Sequence, residues 1–332
     1  MPVADHPTDN RAAVRPDLPR RGRITTPFGP RATGAEILAA TDLTGRRMIV
    51  TGGGSGIGAE TARALAMAGA DVTVAVRDPG AAHPLRAQAA QESWPGSVRA
   101  ARLDLADLGS VADFAAAWEG PLHGLVANAG IMALPVLQLS SSGWELQLAT
   151  NHLGHFALAT RLRDALARAD GARVVVVSSG AHRGHPFDPD DPQFDRTPYD
   201  PWVAYGRSKS ADVLMAVGIA RRWADDGITA NALMPGWITT RLQRHVDLAT
   251  LQTMGAADEN GARIEQPFYK TPEQGAATSV LLAGSPLMGG VSGRYFEDNQ
   301  EALVGEGVAA HALDIDLADR LWGLAEPIVA AS

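Results

Sequence analysis

The chain has 332 residues, a net charge of −8, an apolar fraction of 45% and a charged fraction of 20%. Its acids and bases are interspersed, which argues against a nucleic-acid binder, and the absence of cysteine excludes disulfides and thiolate metal sites. No window approaches the ~20 apolar residues of a membrane span, so a soluble, cytoplasmic protein without a membrane or nucleic-acid partner is expected.

Residues 1–40 read as a Pro/Arg-rich flexible extension, with "TGAEILAA" as a short helix near its end. One domain is expected over 41–332, and apolar runs alternate with Ala-rich helical patterns through it. "RMIVTG" predicts a buried strand and "GIGAETARALAMAGA" a helix closed by Gly69. "DVTVAV" predicts the second strand, followed by a helix around Pro84 to Glu92. "SVRAARLDL" and "LHGLVANAG" predict the third and fourth strands, with "SVADFAAAWEG" as the helix between them. A long, interrupted helical pattern runs from Ser140 to Ala169. "ARVVVVSSG" is apolar throughout and predicts a central strand with both faces covered. A helix carrying "AYGRSKSADVL" follows, then "ITANALMPG" as strand six. Residues 237–270 read as a loop-and-helix excursion over the site, and "TPEQGAATSVLLAG" as a further helix. Regular strand–helix alternation predicts an α/β fold, a Rossmann-type doubly wound parallel sheet of about seven strands in three α/β/α layers.

"TGGGSGIG" lies where the first strand gives way to the first helix, the place where an open α/β sheet holds a dinucleotide pyrophosphate. Gly52, Gly56 and Gly58 let the backbone approach phosphates. The helix start offers free N–H groups and partial positive charge, with Gly54, Ser55 and Ile57 completing the loop. A glycine-rich turn without a ligand is the plainer explanation of such a pattern; its placement between strand and helix argues for the ligand. At the end of the second strand, "VAVRD" puts Val76 where an acid would bind ribose hydroxyls, and Arg77 next to it. Arg77 suits a 2′-phosphate, so NADP(H) is favoured and NAD(H) stays open. Asp78 either neutralises Arg77 or reaches the ribose itself. Asp104, followed by Leu105, faces the adenine amine or caps the next turn.

Tyr205 and Lys209 stand four apart and so share a helix face. A carbonyl reduction needs hydride on carbon and a proton on oxygen. A phenol is a poor acid near neutrality, and a neighbouring ammonium favours its ionised form. Tyr205 then serves as general acid and base, with Ser179, at the end of the fifth strand, holding the developing oxyanion. Asn151, polar within an apolar helix, is a candidate for holding a water that links Lys209 to solvent. Each residue also has an ordinary explanation: a surface pair, a capping serine, a solvated asparagine.

Taken together and in order, "TGGGSGIG", "NAG" (Asn128, Ala129, Gly130), "NHLGHF", "VVVVSSGAHR", "YGRSK" and "PGWITT" resemble the short-chain dehydrogenases/reductases, specifically their retinol-dehydrogenase-like branch. The resemblance covers roughly Leu43 to Phe296. It implies that Asn151, Ser179, Tyr205 and Lys209 form a catalytic tetrad, with Ser179 rather than Ser178 in the active position. It implies that Lys209 grips the nicotinamide ribose and that "NAG" braces the sheet and touches the adenosine side. Pro235, Gly236, Trp237, Ile238 and Thr240 would border the nicotinamide.

The sequence departs from relatives in three ways. The long segment "GAHRGHPFDPDDPQFDRTPYDPWVA" separates Ser179 from Tyr205, as the branch implies. Its His182, His185, Asp188, Asp190 and Asp191 read as a solvated loop, and no metal is expected. Ser55 stands where many NADP-dependent members carry a basic residue, and the apolar anchor of membrane-bound retinol enzymes has no counterpart.

The expected activity is NAD(P)-dependent oxidoreduction of a carbonyl or secondary alcohol on a lipophilic or aromatic small molecule. Trp237, Ile238, Leu242, Met254 and Phe268 are candidate pocket walls. Ala157–Ala169 and Val213–Trp223 are candidate twin-packing faces for a homodimer or homotetramer. Two other readings compete. A nucleotide-sugar epimerase or dehydratase would need a larger C-terminal substrate domain, and a non-catalytic NADP-binding sensor or scaffold would not need the proton donor.

Overall fold

A computed structural model describes residues 22–331. Eight strands form one sheet in the order β3-β2-β1-β4-β5-β6-β7-β8. They are β1 Arg47–Thr51, β2 Asp71–Val76, β3 Ser97–Arg102, β4 Gly124–Ala127, β5 Arg173–Val177, β6 Thr229–Met234, β7 Tyr295–Glu297 and β8 Gln300–Glu301. All neighbouring pairs are parallel except β7–β8. The sheet therefore has one strand more than expected and an antiparallel edge. Asp298 and Asn299, both with positive φ (52° and 64°), make the tight turn that reverses the chain there. The order reverses between β1 and β4, and in such sheets the crevice opens beyond the strand ends at that point.

Eleven α-helical stretches are described: α1 Gly34–Ile37, α2 Gly56–Met67, α3 His83–Gln91, α4 Leu108–Ala116, α5 Leu146–Leu148, α6 Gly154–Arg161, α7 Arg163–Ala167, α8 Pro201–Arg222, α9 Leu248–Thr253, α10 Pro272–Gly284 and α11 Ile315–Ala330. Local chemistry sets several of their starts. Asp107 caps α4 through the Gly109 and Ser110 N–H groups. Asp200 caps α8 through the Trp202 and Val203 N–H groups, with Pro201 at the first helical position. Thr271 and Gln274 form a reciprocal capping box on α10.

Alternation along β5 splits its valines between two cores: Val174 and Val176 face the layer of α4, α6, α8 and α11, and Val175 and Val177 the layer of α2 and α10. Burial on both faces explains why the strand is apolar at every position.

Three expectations change. Residues 22–40 do not behave as a loose extension. Ile24 N–H donates to Glu301 Oε2 at 2.7 Å, Thr26 N–H to Gln300 Oε1 at 2.8 Å, and Asn299 Nδ2 to the Gly29 carbonyl at 2.9 Å. Residues 1–21 lie outside the described part. The 140–169 pattern is a shorter helix than its periodicity implies: α5 runs into a π turn, Ala149–Leu153, before α6. Finally, the alanine-rich faces of α6 and α8 are already covered by α11. Trp322 sits edge-on to Phe156 at 4.8 Å and to Trp223 at 5.8 Å, and a side chain at Gly218 would meet its ring at 2.9 Å. A twin would find those faces taken.

Candidate active site

A crevice of about 1840 Å³ runs along the carboxyl ends of the strands. Ligand pockets usually measure 300–1000 Å³, so this one has room for a dinucleotide and a second molecule. Every residue expected to border the coenzyme lines it, from Gly52 to Thr240, as do Ser179, Tyr205 and Lys209. Asn151 lies behind its wall.

The glycine loop is shaped for close approach. Gly52 and Gly56 have φ of 67° and 56°, a region that favours glycine. A Cβ at Gly58 would lie 2.6 Å from the Gly52 carbonyl oxygen, and one at Gly54 2.9 Å from the Ala81 side chain. Thr51 fixes the loop from below: its hydroxyl accepts from the Asn128 and Ala129 N–H groups at 2.9 and 3.0 Å, while Asn128 Nδ2 donates to its carbonyl. Loop, "NAG" turn and β1 thus form one hydrogen-bonded unit, and the cradle left by the missing side chains fits a pyrophosphate.

Beside it, Arg77 and Asp78 line the crevice. The Asp78 carboxylate accepts from Gly80 N–H at 2.9 Å, capping the turn after β2. Asp104 likewise accepts from Ala106 N–H at 3.1 Å.

Tyr205 and Lys209 occupy the inner face of α8, both under 5% exposed. Tyr205 packs on Met132, Ala133 and Trp202. Lys209 Nζ lies 6.0 Å from the Tyr205 ring centroid and donates to the Val177 carbonyl and Asp212 Oδ2, each at 2.9 Å. An ammonium has three protons to give, and the third is left for the crevice. Burial works against the charged ammonium, but Asp212 and Tyr205 outweigh it and its pKa rises. Ser178 and Ser179 divide their work: Ser178 Oγ donates to the Lys209 carbonyl at 2.7 Å, while the half-buried Ser179 caps the following turn through Ala181 N–H at 3.2 Å.

Asn151 makes contacts that its expected part did not include. Its Oδ1 accepts from Ile131 N–H at 2.8 Å, and its Nδ2 donates to the Ile131 carbonyl and Ser208 Oγ at 3.0 and 2.9 Å. With both amide protons and one lone pair engaged, the side chain is a brace, and only the second lone pair of Oδ1 is left for a water. The π turn aims it there, a common use of such turns near sites.

His155, also in "NHLGHF", escaped the sequence reading. Its Nδ1 lies 2.7 Å from the Asn151 carbonyl and its Nε2 2.8 Å from Thr51 Oγ1. A carbonyl only accepts, so Nδ1 carries the proton and Nε2 takes the threonine hydroxyl's. The ring joins the glycine-loop strand to the helix before the site, and burial keeps it neutral, with a pKa lowered to about 4.

Asp212 was missed too, although an acid inside the apolar run "ADVLMAVGIA" is a signal. The segment after Ser179 is tied inward rather than solvated throughout: His182 Nδ1 donates to the Ser179 carbonyl at 2.6 Å, and Asp191 accepts from the Thr197 hydroxyl at 2.6 Å.

Residues 237–270 cover one side of the crevice with a 3₁₀ turn Arg241–His245, α9 and an aromatic trio. Trp237 stacks on Tyr269 with centroids 6.5 Å apart, and Phe268 meets both rings edge-on. No helix of the described residues is long and apolar enough to cross a membrane.

Residues 46–250 match the family model described as short chain dehydrogenase. A "Probable oxidoreductase" of Streptomyces lividans is 65% identical over 288 residues, 85% of this chain and 96% of its own. Human "Retinol dehydrogenase 14" is 35% identical, with 86% of each chain covered. Among solved structures, an uncharacterized protein from Mycobacterium paratuberculosis superposes with a TM-score of 0.70 at 30% identity, covering 90% of this chain and 98% of that one. The "Pseudomonas aeruginosa RhlG/NADP active-site complex" superposes with a TM-score of 0.58 at 28% identity, covering 78% of this chain and 96% of that one. A glycine cradle at the switch point and family-wide likeness on either side of it lead to one conclusion: the chain belongs to the short-chain dehydrogenase/reductase family and is an NAD(P)-dependent oxidoreductase.

Proposed function

We propose that this oxidoreductase interconverts a carbonyl and a secondary alcohol on a lipophilic or aromatic small molecule, with NADP(H) as its preferred coenzyme. The observation carrying this reading is that Tyr205, Lys209 and Ser179 share one crevice with the glycine cradle. Gly52, Gly56 and Gly58 hold the pyrophosphate, and Lys209 and the Pro235–Thr240 stretch hold the nicotinamide half. When bound, the nicotinamide supplies the hydride for reduction and takes it in oxidation. Tyr205 donates the proton to the substrate oxygen and recovers it in the reverse direction. The Lys209 ammonium favours the phenolate left behind, and the Ser179 hydroxyl holds the oxygen as it becomes negative. Asn151 keeps the Ile131 backbone and Ser208 in place behind them.

The preference for NADP(H) rests on charge. Asp78 turns Oδ1 to the Gly80 N–H and forms no ion pair with Arg77 among the described residues. Arg244 adds a second guanidinium to the crevice, its pKa lowered by burial and by the positive charge of Arg77. Two arginines in one neighbourhood suit a phosphate dianion. The lipophilic preference rests on Trp202, Trp237, Leu242, Met254 and Tyr269 in the walls. If the chain assembles as a homodimer or homotetramer, a face other than α6 and α8 must serve. An epimerase reading loses its main support, since β7, β8 and α11 join the same sheet and core instead of building a substrate domain.

Following NADPH consumption across a panel of aromatic and long-chain carbonyls tests the activity, and comparing melting temperatures with NADPH and NADH tests the preference. No turnover with any carbonyl or alcohol would overturn the first, and equal stabilisation by both coenzymes the second.

A further inference from the structure

Behind the Tyr205–Lys209 pair lies a buried charge that the proposed chemistry does not use. Asp212 is one turn on along α8, 1% exposed, with Oδ2 2.9 Å from Lys209 Nζ. Its other oxygen, Oδ1, has no hydrogen-bond partner among the described residues. His152 Nδ1 lies 4.0 Å from it, too far for a hydrogen bond. His152 comes from the π turn, is fully buried, and leaves both ring nitrogens unpartnered. Burying a carboxylate with one oxygen unanswered costs stability. Lys209 could have been oriented by carbonyls alone, as the Val177 carbonyl already does in part.

We propose that Asp212 is a positioning residue that acts through Lys209: it fixes the ammonium against α8 and, as a nearby negative charge, sets the pH at which the Tyr205–Lys209 pair gives up its protons. This rests on the reading of Tyr205 as proton donor. The Asp212 carboxylate offsets part of the field that Lys209 casts on the phenol, and it keeps the buried lysine charged. Removing that one negative charge makes both protons easier to lose.

The surroundings do not supply a substitute. The elements around α8 carry His152 and His155 on the helix before the site, and His182, Arg183 and His185 on the turn after β5. Tyr295 and Glu297 come from β7, and His311 from the C-terminal 3₁₀ turn. Burial lowers His152 to about 3 and both His155 and His182 to about 4, and it lowers His311 as well. Burial also raises the Tyr295 phenol. The His152, His155, His182 and Tyr295 rings therefore keep their charge state while the pair titrates. Burial raises the Asp212 carboxyl to about 6 against the pull of Lys209, so it is ionised at the neutral and alkaline pH where dehydrogenation would be assayed.

The test is the near-isosteric Asp212→Asn, with Asp212→Ser as a second variant. Each is assayed for the pH profile of kcat and kcat/KM in both directions. Each is also titrated without coenzyme or substrate, reading phenolate absorbance against the same protein carrying Tyr205→Phe. The whole activity profile should move to lower pH by about one unit, and the onset of Tyr205 phenolate absorbance should move the same way. A uniform loss of kcat with no displacement of either curve would make Asp212 merely structural and overturn the proposal. So would failure of both variants to fold. The absorbance titration needs no turnover, so a shifted phenolate in an inactive protein would uphold the coupling while sinking the proposed reaction.

Discussion

The floor and the cover of the crevice are built on opposite terms. In the floor, Thr51, Asn151, His155 and Lys209 are all nearly excluded from water, and each is held by hydrogen bonds to backbone or to other buried side chains. The cover leaves Trp237 47% and Phe268 58% exposed, and its helix α9 is only six residues long. Its firm attachments are at its base. Lys270 N–H donates to the Trp237 carbonyl at 2.8 Å, Lys270 Nζ pairs with Asp298 at 2.6 Å, and Arg31 donates to the carbonyls of Pro267 and Tyr269. Groups proposed to hold the reacting geometry sit where opening is expensive, and the cover, proposed to meet the substrate, sits where it is cheap.

That contrast can be broken or sharpened by measurement. The largest effect should come from Tyr205→Phe, which removes one hydroxyl from the floor. Turnover should fall by about 10³-fold or more while NADPH affinity, read by fluorescence quenching, changes less than about threefold. Wild-type turnover would remove Tyr205 from the chemistry.

Acid should come next, and it should attack the floor. His152, His155 and His182 have folded pKa values lowered to about 3, 4 and 4, chiefly by burial, so the unfolded chain binds more protons below pH 6.5. Stability held in full above pH 6.5 should therefore drain away toward pH 4, by several kcal/mol in urea melts. Asp212, raised to about 6, works in the opposite sense and returns part of this between pH 6 and 4. A flat stability profile from pH 7 to 4.5 would mean the rings are not buried neutral.

Asn151→Ala should cost about 2–4 kcal/mol, because the Ile131 N–H and carbonyl and the Ser208 hydroxyl lose their partner in a dry place. A loss below 0.5 kcal/mol would show that the brace is dispensable. The smallest effect on folding belongs to the cover: Trp237→Ser should change stability by less than about 0.5 kcal/mol. The same substitution should raise KM for an apolar carbonyl several-fold with little change in kcat, and an unchanged KM would free the cover from any part in substrate choice.

How much of this the sequence disclosed follows the range of the interactions involved. The glycine loop, the strand ends and the Tyr205–Lys209 spacing were readable because each depends on neighbours in the chain. Val174 to Val177 announced a central strand because burial on both faces leaves no polar position. The β7–β8 hairpin was not read, since strands of three and two residues give too short a pattern and their pairing is fixed by the Asp298–Asn299 turn and the strap of residues 24–29. Asn151 stood out as polar within an apolar helix, but its bracing contacts were not readable, because its partners Ile131 and Ser208 are brought to it only by folding. His155 and Asp212 have the same difficulty: nothing beside them in the sequence says what they will touch.

The C-terminal helix carries one last implication. Because α11 lies over α8 and α6 with Trp322 wedged between Phe156, Trp223 and Gly218, the back of the tyrosine-bearing helix is sealed by the same molecule. A seal of that kind is first-order: dilution cannot strip it, whereas a seal lent by a second subunit would weaken as concentration falls. Proteolytic clipping ahead of Ile315 would lay bare the apolar ground around Phe156, Gly218 and Trp223, and the clipped protein should clump at concentrations where the intact chain scatters no light.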